Sequence, residues 1–240
     1  MQPGAKGPTA HQTGWYRLQA AVTYMVMAAA LWCVFVYVPT EKVQGIVQRI
    51  FSFHVSSAIT MSVAFFIVCV ASIMYLWKQT QWWDNVALSA AEIGVLFCTI
   101  VLITGPIWAR PIWGVWWTWD PTLTLTLVLW LIYVAYLMLR AEASDAKRTR
   151  FAAVLGIIGF ADIFLIRWSV VKWRTLHPKP VVVQEGGTTG LPPSMMLTFC
   201  IAMAACLLLF FLLLRERASL AQRRHEIELL RDEIENELVR

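Results

Sequence analysis

Residues 51–77 read "FSFHVSSAITMSVAFFIVCVASIMYLW". The stretch carries no Asp, Glu, Lys or Arg, and it is longer than the roughly 20 apolar residues a helix needs to cross a bilayer core. Five further segments are also predominantly apolar: Leu18–Val38 before it, then Val86–Ile103, Leu123–Leu139, Phe151–Val170 and Ser194–Leu214. The chain has 240 residues, 59% of them hydrophobic and only 15% charged, which is too apolar for an ordinary soluble domain. There is no repeat of solenoid period and no long linker. The expected fold is all-α: a polytopic integral membrane protein with six transmembrane helices in a lipid bilayer. Residues 1–17 are expected to form an N-terminal segment, 18–214 the membrane domain, and 215–240 an amphipathic C-terminal helix. The first apolar segment exceeds the core of about 7–15 residues typical of a cleavable signal, so it is expected to be retained.

Lysine and arginine set the orientation. With six spans, the N-terminus, the second and fourth connections and the C-terminus share one side. That side holds thirteen basic residues, among them Arg140, Lys147, Arg148 and Arg150 in "RAEASDAKRTR"; the other holds seven. Both termini are therefore expected in the cytoplasm. A net charge of +5 reads as topology; no motif or basic groove points to nucleic acid. Cys33, Cys69, Cys98, Cys200 and Cys206 all fall inside expected spans without metal or disulfide spacing, as small apolar residues would.

The outer side then collects three features from distant parts of the chain. Residues 113–124, "WGVWWTWDPTLT", place four tryptophans within seven positions. His54 lies about one turn inside span two, and His177 lies between spans five and six. Each feature has an ordinary explanation: tryptophan favours membrane interfaces, and a single histidine is often a packing or solvated residue. A belt, however, distributes its rings among helix ends, whereas this run concentrates them. Continued helical spacing would put Trp113, Trp116, Trp117 and Asp120 on one side, with Trp108 nearby. A broad aromatic floor and two separated imidazoles suit haem, which is flat, apolar and open to axial ligands on both faces. Its propionates need cations, and the outer side offers Arg49, Arg110, Arg174, Lys172 and Lys179.

Trp113-Gly114 through Trp119-Asp120, followed by Leu123-Thr124, resembles the WGxxWxWD motif of membrane proteins that handle haem in cytochrome c maturation. "SAAEIGVLFCTIVLITGPIWARPIWG", "QRIFSFHVSSA" and "SVVKWRTLH" are similar to the segments around that motif and the two histidines in the CcmC-type family. The resemblance covers roughly residues 20 to 214. It implies that haem b is held at the periplasmic membrane face and presented to a membrane-tethered haem chaperone (CcmE type). It also implies an ABC transporter ATPase and membrane subunit (CcmA and CcmB types) and a small single-span subunit (CcmD type). His54 and His177 would be the axial ligands; Trp113, Gly114, Trp116, Trp117, Trp119 and Asp120 would form a haem and chaperone platform within a loop at 108–124. Two positions depart from the family pattern: Thr122 stands where arginine is common, and Ser56 where proline is common.

Acids inside a membrane span are costly and are usually paired or functional. Glu92 and Asp162 are such acids, and pairing is expected for both, Asp162 with Arg167. The segment 178–193, "PKPVVVQEGGTTGLPP", reads as an irregular outer connection. Leu220, Ile227, Leu230, Ile234 and Leu238 form a partial apolar stripe on the charged tail, suited to packing on the ATPase or to a solvated helix. No Ser–His–Asp set, Walker loop or nucleotide-binding glycine motif is present, so a haem delivery protein is expected in preference to an enzyme. The alternatives are a bis-histidine membrane cytochrome, a haem lyase-type component and a small transporter.

Overall fold

The computed structural model describes residues 10–141, 146–179, 181–182 and 188–238. Six helices are long and apolar enough to cross a membrane. In chain order they are α1 (Ala10–Trp32), α2 (Ile50–Lys78), α3 (Gln81–Trp113), α4 (Pro121–Ala141), α5 (Ala146–Lys172) and α6 (Pro193–Leu238). This all-helical outcome is what an apolar solvent demands, because a spanning segment must satisfy every backbone N–H and C=O within itself.

α2 is the central element and packs on α3, α5 and α6, while α1 leans on α6. The core is aromatic as well as aliphatic. Phe65 of α2 stacks on Tyr133 of α4 with centroids 3.7 Å apart. Gly94 of α3 makes room for that stack, since a Cβ there would come within 2.6 Å of the Phe65 ring. The buried Tyr133 hydroxyl donates to the Gly156 carbonyl of α5 at 2.9 Å, so the burial leaves no phenolic O–H without an acceptor. Outward-facing side chains such as Phe66, Leu96, Leu131, Phe164 and Phe211 are large, apolar and exposed, as expected where lipid replaces water.

The helix ends differ from the expected boundaries. α1 continues as a π turn, Cys33–Tyr37, closed by Val38 N–H to Cys33 O. α3 was expected to end near Ile103 but runs ten residues further, through Pro106 and Pro111, to Trp113. Each proline removes one N–H, yet the helix resumes beyond it. It stops only at Gly114, whose φ of 76° suits a left-handed cap that a side chain would disfavour. The loop expected at 108–124 therefore shrinks to Gly114–Asp120, and Trp113, Trp116, Trp117 and Asp120 do not share a helical face. The C-terminal helix expected at 215–240 is continuous with the sixth span up to Leu238. Parts of the connections at 142–145 and 183–187 lie outside the described residues.

Antiparallel packing divides the bundle into two ends. The start of α2, end of α3, start of α4 and end of α5 meet at one end. The start of α1 and the charged extension of α6 lie at the other, where Arg215 of α6 donates to Gln19 of α1 at 3.2 Å. There Asp84 of α3 pairs with Arg140 of α4, both deeply buried. Glu92 of α3 is paired as expected, and its partner is Arg217 on the charged extension of α6. Asp162 does not pair with Arg167: its Oδ2 is buried without a partner, while Arg167 is exposed. Residues five apart on a helix lie more than a third of a turn out of line, unlike those three or four apart. All five cysteines are free.

Candidate functional site

An open cleft at the end away from the termini brings His54 and His177 to one place. It holds about 730 Å³ of atom-free space, counted with its mouth. Trp108, Trp113 and Trp117 line it with the two imidazoles. Much of the remaining wall is aliphatic, from α3 and α4, with Gln44 as a polar intruder from the first outer connection.

His54 is the fifth residue of α2 and faces α3. Its Nδ1 lies 2.9 Å from the Thr104 hydroxyl. The Trp108 ring stands edge-on to it, centroids 5.8 Å apart, and Phe51 buttresses Trp108 from behind. Trp108 in turn donates its indole N–H to Gln44 Oε1 at 3.1 Å. His54 therefore sits in a frame built by one helix–helix contact, not by its own local sequence.

His177 follows α5 in a short irregular segment, and its placement depends on Asp120. The Asp120 carboxylate accepts Thr122 N–H at 3.0 Å, and its backbone carbonyl accepts Thr124 N–H. It is thus the N-cap of α4, with Pro121 in the first helical position that proline favours. The same carboxylate accepts the Thr175 hydroxyl at 2.6 Å and Leu176 N–H at 2.8 Å. His177 N–H donates to Thr175 Oγ1, and its ring Nδ1 lies 3.1 Å from the Pro178 carbonyl. Burial holds the His177 imidazole below its usual pKa, against the opposing pull of the Pro178 carbonyl and Asp120. The ring therefore tends toward the neutral form that a metal requires.

Of the residues singled out from the sequence, His54, His177, Trp113 and Trp117 line the cleft. Trp116 and Trp119 turn outward and are 59% and 76% exposed. Gly114 ends α3, and Asp120 braces the His177 segment from beneath. Arg49 donates to the Phe35 carbonyl and Arg110 to the Gly114 carbonyl; Arg174 is exposed, and none of the three is part of the cleft wall. Gln44, Thr104, Thr175 and Pro178 were not anticipated. Thr104 is fifty residues from His54, and nothing in its local pattern marks it. No group of three or more His, Cys, Asp or Glu suited to a metal ion occurs among the described residues.

A sequence profile described as heme exporter protein C matches residues 8–231. The chain belongs to the heme exporter protein C family. Its similarity to individual members is broad. A "Heme exporter protein C" of Bradyrhizobium diazoefficiens is 34% identical over 209 residues, covering 87% of this chain and 77% of that protein. A protein of the same name from Escherichia coli K12 is 34% identical over 176 residues, 72% of this chain and 71% of that protein. A Marchantia polymorpha "Putative cytochrome c biosynthesis ccmC-like mitochondrial protein" is 30% identical over 168 residues, 70% and 69%. The two departures from the family pattern have distinct surroundings. Thr122 is buried and bonded to Ser169 and Thr175 beneath His177. Ser56 is fully buried with its hydroxyl unpartnered, and α2 passes it without a break.

Proposed function

We propose that this protein holds haem b in the cleft at the periplasmic face of a bacterial inner membrane. It then presents the haem to a tethered chaperone during cytochrome c maturation. The observation that carries this reading is the convergence of His54 and His177 on one indole-lined cleft. The donor set fits the group: two imidazoles, three indoles and aliphatic walls match a flat apolar ring whose metal takes one ligand from each face. When bound, haem supplies the iron and the ring to be delivered, and the chain supplies grip and orientation. His54 and His177 would hold the iron, Trp113 and Trp117 would pack against the ring, and Trp108 steadies His54. Arg49, Arg110 and Arg174 are outside the cleft wall and remain the candidate propionate partners by charge alone, each guanidinium having several donors.

Trp116 and Trp119 have a different role. Their exposure on the outer surface suits contact with the chaperone. Termini on the cytoplasmic side put the charged extension of α6 where an ABC ATPase works. The transporter's membrane subunit and a single-span subunit complete the assembly. The protein acts as a carrier, with no bond of the substrate broken by its own residues.

The test is the absorption spectrum of haem copurified with His54→Ala and His177→Ala. Each substitution is expected to lower haem content or shift the Soret and visible bands. Unchanged spectra and content in both variants would overturn the axial assignment.

A further inference from the structure

We infer that Thr104 is the positioning residue that sets the tautomer of His54, so that Nε2 is the nitrogen offered to the cleft. The inference rests on the haem reading above and concerns a side chain outside the sequence motif.

A threonine hydroxyl has one proton. The Thr104 oxygen lies 2.7 Å from the Ile100 carbonyl, one turn back on α3. A carbonyl only accepts, so the hydroxyl proton is directed there, as is common for threonine within a helix. The lone pairs of Thr104 Oγ1 remain for His54 Nδ1 at 2.9 Å. Nδ1 must then carry the imidazole proton, and in a neutral ring Nε2 is left bare. The ring has little freedom to turn away. A Cβ at position 105 would lie 3.3 Å from His54 Cε1, so Gly105 leaves space for the ring and little more. Trp108 stands at another edge. Residues 104, 105 and 108 of α3 thus grip one imidazole.

His177 reaches the same state by another route. Its Nδ1 faces the Pro178 carbonyl at 3.1 Å, which cannot donate, so Nδ1 is again the donor and Nε2 the open position. Both imidazoles are prepared as Nε2 ligands before the metal arrives. Support of this kind from a second hydrogen-bonded group typically governs about 10- to 100-fold of metal affinity. Only the His54 support is a side chain, and it is therefore the one open to substitution.

The experiment uses the full chain in lipid with 15N-labelled histidine, free of haem, followed by haem titration. The His54 ring signals are assigned by their loss in His54→Ala. The native protein is expected to show His54 protonated at Nδ1. Thr104→Val keeps the shape and removes the acceptor; it is expected to mix the tautomers and weaken haem binding by about tenfold or more. Thr104→Ser is expected to restore both. Thr99→Val removes a comparable back-bonded hydroxyl on the same helix outside the cleft, and it is expected to leave the His54 signals unchanged. The inference is overturned if Thr104→Val leaves tautomer and affinity at native values while His54→Ala lowers haem binding. It is overturned equally if Thr99→Val shifts the His54 signals as far as Thr104→Val does. If His54→Ala and His177→Ala bind haem as the native chain does, the ligand assignment itself has failed, whatever the tautomer shows.

Discussion

At the end of the bundle that carries the termini, Asp84 meets Arg140 and Glu92 meets Arg217. At the cleft end, Asp120 meets a hydroxyl and two backbone N–H groups, and each imidazole meets one neutral oxygen. The difference separates holding helices together from holding a ligand. A buried ion pair engages both charges and ties two helices, and losing either partner strands the other. Neutral hydroxyls and carbonyls place a side chain just as firmly, yet leave its lone pair available. The threonines at 104, 122 and 175 do at the cleft what arginines do at the opposite end, without adding a charge of their own.

This contrast is broken most directly at Arg140. Arg140→Ala is expected to lower stability by about 3 kcal/mol, because it leaves the buried Asp84 carboxylate without a charge partner, held only by the Gln81 amide. Thermal melting in detergent checks this, and the haem spectrum of the surviving folded protein should not move. A smaller effect with a larger functional signature is expected at Asp120. Asp120→Ala removes an N-cap, at about 1 kcal/mol, and charge-assisted bonds to the His177 segment. Haem affinity measured by titration should fall more than melting temperature suggests, whereas equal losses would make Asp120 a purely structural cap.

Arg217→Met should cost less, about 0–1 kcal/mol, since the Arg217–Glu92 side chains are 36% and 30% exposed and solvent screens the pair. Melting that drops as far as in Arg140→Ala would contradict the distinction between the two pairs. The smallest change in stability is expected for Trp119→Ala, within about 0.5 kcal/mol, because the ring is at the surface. Its expected effect is slower delivery to the chaperone in a reconstituted transfer assay, with haem content unchanged.

Asp162 sharpens the same comparison. It is a buried acid with one oxygen lacking a partner, unlike either the paired acids or Asp120. The double substitution Asp162→Leu and Arg167→Leu is expected to change melting by the sum of the single effects, within about 0.5 kcal/mol. Coupling beyond that would restore the pair expected from the sequence.

The histidines and tryptophans were legible because rare residue types recurred on one side of a predictable topology. What each tryptophan does was not legible. Four rings within seven positions look alike in sequence, but Gly114 ends the helix among them, turning Trp116 outward and leaving Trp117 against the cleft. Asp120 was grouped with them by helical spacing and the motif, whereas its partners Thr175 and Leu176 lie more than fifty residues away. Separations of 50 and 125 residues likewise hide Thr104 from His54 and Arg217 from Glu92.

The sequence by itself determined six apolar helices and, through their alternation, two chemically different ends, because a chain in lipid must satisfy its backbone locally. Only the tertiary structure decided what stands beside His54 Nδ1, what braces His177 and which indoles face the cleft. Those outcomes depend on hydrogen bonds and ring contacts of a few ångströms between different helices, set by how the helices pack and not by what any one of them contains.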